Sequence, residues 1–318
     1  MTDLERRYLW LLRAYPADYR RARGAEIVGT YLDLADPERR WPSPADAADL
    51  ARGGVRQRLR AVGAAGLIPG VRLAAVLSLL TATALAAVWS VLELRPPAPY
   101  WGIPALGPVA TLGAGVWVGW LLPALALAVG SARWARRAIG LALLLTVVAV
   151  PVAELAGLPR PPLFILLPQV ALGLVALALP DRLSMPVRLA QPLTAVGAAV
   201  ATELLYPWED HYYYGWTSIQ IPQGVGLALL AVTLLLAIGL LVGGDRRGLW
   251  AALTLLTPIC LLRLHDLVAA GPTALHGGPN VDRFGLAVAA TAVTLIGPAA
   301  LGGAVALAGR ARRRTPAS

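Results

Sequence analysis

The residues of this chain that could do chemistry are carboxylates, histidines and one arginine near the ends of apolar segments. Glu154 and Glu203 each lie near the end of such a segment, and Arg263, His265 and Asp266 occupy the end of another. Ionisable side chains inside membrane segments are costly and are functional candidates by default. Because carboxylate and imidazole groups suit a divalent cation or a proton relay, the pattern predicts one outward-facing polar pocket that these five residues share.

The same region offers possible metal ligands, and a structural interpretation competes with them. The residues with suitable side chains are Glu203, Asp210, His211 and His265. Water and headgroups can solvate residues at span ends, and Arg263 can pair with Asp266 three residues further along one helix. The segment 208–216 also has the composition of an interfacial aromatic girdle. The metal therefore stays unassigned, and we expect no cofactor.

No motif of established catalysis is present in the chain. HExxH, GxSxG, CxxC and the dinucleotide-binding fingerprint are all missing from the sequence. All 28 basic residues are arginine, which excludes a phosphate-binding loop with its lysine and a Schiff-base lysine. Cys260 is the only cysteine, so neither an intrachain disulfide nor a cysteine-based metal site can form. We therefore expect a protein that is not an enzyme.

The elements that position these residues are apolar helices. Of the 318 residues 57% are hydrophobic and only 14% are charged, against about a quarter charged in a soluble domain. Eight apolar runs, each long enough to cross a bilayer, cover 71–94, 108–129, 138–158, 163–180, 189–206, 222–242, 249–268 and 284–309. The sequence predicts an all-α integral membrane bundle of eight transmembrane helices over 67–309.

Arginines concentrate in alternate connectors between these spans. Eleven lie in the connectors 130–137, 181–188 and 243–248 and in the basic tail 310–318, whereas the opposite connectors hold three. By the positive-inside rule the arginine-rich side is cytoplasmic, and both termini lie there. The pattern predicts a protein of the bacterial cytoplasmic membrane. Since much of the net charge of +10 lies beside spans, the predicted partner is the lipid bilayer and not a nucleic acid.

Residues 1–66 are predicted to form a cytoplasmic three-helix domain. Thr2 and Glu5 have the spacing of a capping box, and Ser43 before Pro44 is typical of the start of a third helix. Predicted core stripes are formed by Leu4, Tyr8, Leu11 and Leu12 and by Ile27, Tyr31 and Leu34. Four arginines near the end of the third helix could contact lipid headgroups or form a solvated face: Arg52, Arg56, Arg58 and Arg60.

A family resemblance rests on the stretch Leu11–Arg20 (LLRAYPADYR), followed by Gly24–Ile27 (GAEI). It resembles the opening of multi-pass membrane proteins of high-GC bacteria and the short prefix domain of some ABC-transporter permeases. The resemblance covers about the first 60 residues. It implies a small helical domain before the spans and a transporter-like or permease-like component, with a cytoplasmic protein partner bound through residues 1–66.

Two other functions remain open from the sequence. The chain could be a membrane-bound sensor or regulator, in which the outer pocket binds a ligand and the helical domain binds a cytoplasmic protein. It could also be an intramembrane metal-dependent enzyme that uses the outer carboxylates and histidines. The sequence predicts neither a substrate nor an oligomeric state.

Overall fold

A computed structural model describes residues 2–36, 39–61, 64, 66–95, 106–206, 216–269 and 283–314. The all-α prediction is confirmed, because the described residues contain helices and no strand. The chain divides into two compact units. The first comprises the residues up to Leu67 together with the chain from Leu301, and the second comprises Ile68–Ala300.

The helices of the described residues are α1 (Asp3–Leu11), α2 (Ala17–Asp33), α3 (Pro44–Ala61), α4 (Leu67–Glu93), α5 (Gly113–Val129), α6 (Ala132–Ala156), α7 (Leu163–Ala176), α8 (Met185–Leu205), α9 (Trp216–Val242), α10 (Arg247–Leu262), α11 (Leu264–Ala269) and α12 (Arg283–Arg314). A short 3-10 helix, Leu12–Ala14, follows α1 directly.

Two helices of the first unit begin at the caps that the sequence predicts. The backbone N–H of Glu5 donates to Thr2 Oγ1 and that of Thr2 donates to Glu5 Oε2, both over 3.2 Å. At α3 the N–H of Asp46 donates to Ser43 Oγ over 3.0 Å, and the N–H of Ser43 donates to Asp46 Oδ2 over 3.1 Å. These reciprocal bonds satisfy N–H groups that a helix start otherwise leaves without partners.

Tyrosines join the first two helices of this unit to α3. Tyr8 is fully buried and its hydroxyl donates to Asp46 over 2.8 Å, while the Tyr31 hydroxyl donates to Asp49 over 2.6 Å. Burial, and next the hydrogen bond to Asp46, raise the pKa of Tyr8 to about 12, so the hydroxyl stays protonated and can donate. The predicted burial of Tyr8 is confirmed, whereas that of Leu34 is wrong, because Leu34 caps the end of α2 and is 80% exposed.

The segment after α1 docks closely on α3 because two adjacent glycines leave room for it. A Cβ on Gly54 would lie 2.6 Å from the Cβ of Ala14 and 2.7 Å from its carbonyl carbon. Arg58 closes the contact, since its Nε donates to the Ala14 carbonyl and its Nη2 to the Arg13 carbonyl, each over 2.6 Å. The Ala14–Tyr15 stretch, part of the motif that carries the resemblance, is thus a packing element.

Among the residues that the structure describes, four helical segments are long and apolar enough to cross a membrane: Leu67–Glu93, Ala132–Ala156, Ile219–Val242 and Phe284–Ala308. Shorter apolar helices are Gly113–Val129, Leu163–Ala176 and Arg247–Leu262. Each of the eight predicted spans coincides with helix, but the seventh divides at Arg263 into α10 and α11, and the fourth ends at Ala176 rather than at residue 180. Transmembrane character is therefore supported by the structure.

Helix α4 is the central helix of the second unit. More than half of its apolar window (56%) is buried, against 6% for α12. The indoles of Trp89, Trp117 and Trp120 are almost completely buried in the core around α4. Small residues allow close helix contacts, as at Gly173, where a Cβ would lie 2.9 Å from Leu143 Cδ2. An apolar helix that is mostly exposed, such as α12, is suited to lipid.

We predict that Gly54→Ala destabilises the first unit. Alanine favours a helix by about 1 kcal/mol over glycine, but forcing its methyl group into a packed contact costs about 1–3 kcal/mol. Hydrogen exchange of the detergent-purified full chain, read on peptides from residues 2–61, should become faster.

The matched control is Gly29→Ala on α2, where a Cβ would meet no atom within 4 Å. It should leave exchange unchanged or slow it, because only the helix propensity changes. Equal exchange in the two variants would contradict the packing role of Gly54.

Candidate functional site

The connectors of the second unit meet at two ends. At one end, which we call the acidic end, the N–H of Ala110 donates to the Glu93 carbonyl over 2.9 Å and the N–H of Leu112 donates to the Pro159 carbonyl over 3.0 Å. These bonds join the end of α4, the start of α5 and the chain after α6. The opposite end holds the connectors after α5, α7 and α9, and we call it the arginine end.

Glu93 is the most deeply placed charged residue of the acidic end. It is fully buried, and its carboxylate accepts from the backbone N–H of Thr111 over 2.8 Å, from the Thr111 hydroxyl over 2.6 Å and from Trp117 Nε1 over 3.3 Å. Gly113 makes room for this arrangement, since a Cβ there would lie 2.8 Å from Trp117 Nε1. The sequence analysis did not place Glu93 in the site; its position inside an apolar run was the available signal.

Arg95 connects α4 to the end of α8. Its Nη2 lies 2.5 Å from Glu203 Oε2, and its Nη1 donates to the carbonyl of Tyr206. The Arg95 side chain is only 8% exposed, whereas the Glu203 side chain is 48% exposed. The predicted site residue Glu203 therefore neutralises a buried guanidinium that holds two helix ends together.

The other predicted carboxylates also have arginine partners. Glu154 accepts from Arg160 Nη2 over 2.8 Å and from its Nε over 3.2 Å. Asp266 pairs with Arg263 and accepts from the amide of Gln223 on α9. The i,i+3 pair of Arg263 and Asp266 is thus confirmed. Each arrangement ties the end of a helix to its own connector or to a neighbouring helix.

His265 packs against an aromatic ring. The ring centroids of His265 and Phe164 lie 5.0 Å apart at 88°, an edge-to-face contact. The imidazole is partly buried near the start of α7. Such a contact is typical of a packing histidine.

Among the five residues predicted to share a pocket, the contacts join only Arg263 to Asp266. Glu154 and Glu203 pair with arginines outside the predicted set. Of the candidate metal ligands, Asp210 and His211 lie outside the described residues. The part of the chain that the structure describes contains no group of three or more His, Cys, Asp or Glu side chains able to hold a metal ion. The shared pocket and the metal site therefore stay predictions.

The arginine end shows a role for arginine that the sequence analysis missed. Arg188 donates through Nε to the carbonyl of Leu127 over 2.8 Å and through Nη2 to that of Gly130 over 2.6 Å. Arg136 donates to the carbonyl of Leu179 over 2.7 Å. The Arg188 guanidinium thus closes the carbonyl end of α5, where the last C=O groups lack partners within the helix, whereas Arg136 binds the connector that follows α7.

The four arginines predicted to contact lipid headgroups are all exposed on α3: Arg52, Arg56, Arg58 and Arg60. Arg58 also binds the two carbonyls of the Arg13–Ala14 stretch. That structural use was not predicted. Headgroup contact stays a prediction for the four.

Comparison with protein-family models, with curated proteins and with solved structures finds no match to this chain.

We predict that Glu93→Gln lowers the thermal stability of the detergent-purified protein. The carboxamide replaces one acceptor oxygen by an NH₂ group that faces donors, and a buried unsatisfied polar group costs about 1–3 kcal/mol. The measurement is the unfolding temperature followed by tryptophan fluorescence.

Glu154→Gln is the matched control for this change. The Glu154 side chain is 69% exposed, and exposed ion pairs contribute at most about 1 kcal/mol. If both variants unfold at the same temperature, the Glu93 contacts do not stabilise the acidic end.

Proposed function

We propose that this chain is a non-enzymatic, transporter-like or permease-like component of a bacterial cytoplasmic membrane. One observation carries the proposal: a set of buried polar side chains near the middle of α4, two on α4 itself and one on α7. We call it the polar row, and its members are Ser78, Thr83 and Gln169.

The polar row lies where α7 meets α4. The side-chain amide of Gln169 donates to the carbonyl of Ala82 over 3.0 Å, near the midpoint of α4. Ser78 precedes Ala82 by one helical turn and so lies on the same face, whereas Thr83, the next residue along the chain, lies about 100° further around the helix. All three side chains are 1% exposed or less.

The polar row contains atoms that form no hydrogen bond within the described residues. Within the described residues, Ser78 Oγ, Thr83 Oγ1 and Gln169 Oε1 have no hydrogen-bond partner. Each such atom costs about 1–3 kcal/mol when it is buried. A protein tolerates that cost where a bound substrate or a second conformation supplies the partner. Transporters place their substrate sites near the bilayer midplane, which is the depth that the middle of a spanning helix occupies.

The proposal includes eight crossings with both termini in the cytoplasm. The support is the distribution of charged side chains between the two ends. Arg136 and Arg188 bind their partners at the arginine end, whereas Glu93, Glu154 and Glu203 bind theirs at the acidic end. Hairpin helices that alternate in this way bring the arginine-rich connectors to one side, as the positive-inside rule requires.

Reporter fusions test this topology. A fusion after residue 134 should report the cytoplasm, and a fusion after residue 214 should report the opposite side, since an odd number of proposed crossings separates the two positions. A fusion at the C-terminus serves as the internal control and should match position 134. Identical signals from positions 134 and 214 would overturn the eight-span topology.

Cysteine accessibility tests the transport function. With Cys260→Ala as the background, Ser78→Cys and Thr83→Cys place a thiol of nearly the same size in the polar row. If the row lines a substrate path, a small water-soluble thiol reagent should modify both positions in membrane vesicles, because the path hydrates as the protein changes conformation.

The control is Ala86→Cys, one turn from Ala82 on the same helix and equally buried. It should stay unmodified, because the core around it is apolar. Failure to label both polar-row thiols would contradict a substrate path. Equal labelling at all three positions would indicate a loose bundle and would contradict it too.

A groove on the first unit favours a second candidate, a membrane-bound sensor or regulator. It lies between α1 and α2, has a volume of about 610 Å³, and has small residues such as Gly24, Ala25 and Gly29 beside Leu9 and Leu32. A groove that combines apolar side chains with the charged residues Glu5, Arg20 and Arg21 suits an amphipathic helix of a cytoplasmic partner protein. Both candidates use such a partner, and the labelling of the polar row separates them.

A further inference from the structure

A cavity at the arginine end combines two guanidinium groups with an apolar wall. It has a volume of about 460 Å³ and lies between α4, α9 and the start of α10. Arg72 and Arg247 line it together with Leu73, Val76, Leu236 and Leu240. No predicted site residue lies in this cavity, and neither does the polar row.

Of the two cavity arginines, Arg72 is the less expected from the sequence around it. It lies in the second turn of an apolar helix, its side chain is exposed, and it makes no ion pair within the described residues. The Nε of Arg247 lies 2.6 Å from Asp245 Oδ2, and both side chains are about half exposed. Two arginines and one carboxylate leave the mouth of the cavity with a net positive charge.

The close contact of α4 with α10 fixes the position of these arginines. A Cβ on Gly70 would lie 2.5 Å from the Cβ of Trp250 and 2.7 Å from the carbonyl oxygen of Arg247. Arg72 follows Gly70 by two residues, so this close contact brings the backbones that carry the two guanidinium groups near each other.

We propose that this cavity binds one anionic phospholipid. The headgroup phosphate binds Arg72 and Arg247 through charge-assisted hydrogen bonds, which guanidinium groups form well with phosphate. One acyl chain lies along the wall of Leu73, Val76, Leu236 and Leu240. Basic pockets between membrane helices bind anionic headgroups in this manner.

The apolar wall distinguishes a lipid from a free phosphate as the occupant. An inorganic phosphate would use the guanidinium groups alone and would leave the leucine and valine side chains without contacts. Since α4 and α9 are both long and apolar enough to cross a membrane, the cavity is placed among lipids. The inference rests on this placement and does not depend on a transport function.

Native mass spectrometry of the detergent-purified full chain tests the proposal. With phosphatidylglycerol and phosphatidylcholine added in equal amounts, one phosphatidylglycerol should remain bound in preference. The double variant Arg72→Gln with Arg247→Gln should weaken this binding by roughly tenfold or more, since the charged donors are lost. The control is Arg133→Gln with Arg137→Gln, which makes the same change of charge among exposed arginines outside the cavity.

Two further experiments test where the acyl chain lies, and they keep the proposal testable if the double variant does not fold. Val76→Phe fills the wall and keeps both arginines, so it should also weaken phosphatidylglycerol binding. Glycerol phosphate in excess should not displace the lipid if the chain contributes to binding. Equal retention of phosphatidylcholine, equal loss in the control variant, or displacement by glycerol phosphate would each overturn the proposal.

Discussion

The carbonyl groups at the end of a packed helix need donors from elsewhere in the chain, and this constraint recurs through the structure. The chain meets it with arginine, whose guanidinium carries five donors in a fixed fork. Arg95 and Arg188 each bind the carbonyl end of a helix distant in sequence, and Arg136 binds the carbonyl of Leu179 in the connector after α7. Arg58 uses the same contact in the first unit, on the carbonyls of the 3-10 helix. Apolar packing alone would leave these helix ends unsatisfied.

The carboxylates follow from the same constraint. A guanidinium removed from water needs a counter-charge, and a buried pair repays its desolvation only with good geometry and additional hydrogen bonds. Arg95 has both, because it binds Glu203 and the carbonyl of Tyr206 together. The acids at the helix ends are thereby engaged with partners of their own. Neutral polar atoms that are buried without a hydrogen-bond partner within the described residues belong to Ser78, Thr83, Gln169, Gln191 and Thr233.

The sequence predicts the features that depend on neighbouring residues and misses those that depend on tertiary contacts. The cap of α1 joins Thr2 to Glu5, and the pair of Arg263 with Asp266 also spans three residues, so local spacing suffices for both. The partner of Glu203 lies 108 residues away, and hydrophobic periodicity carries no information about it. For the same reason a sequence can place acidic residues at one end of a bundle without showing whether they converge. The predicted burial of Leu34 was wrong for a similar reason, because a stripe of apolar residues on one helix does not show where the neighbouring helices end.

The arginines of the alternate connectors have two physical roles, one as cations and one as hydrogen-bond donors. As cations they favour one side of the membrane, and lysine would serve that purpose equally well. As a forked donor, Arg188 also binds the carbonyl end of α5 and Arg136 binds Leu179 and Asp181 after α7, and a lysine would keep the charge but lose the paired geometry. A connector that carries such an arginine therefore also binds backbone carbonyls of another connector or helix end. Because donor and acceptor lie at the same end of the bundle, an inverted bundle would keep these hydrogen bonds and lose only the favourable placement of charge.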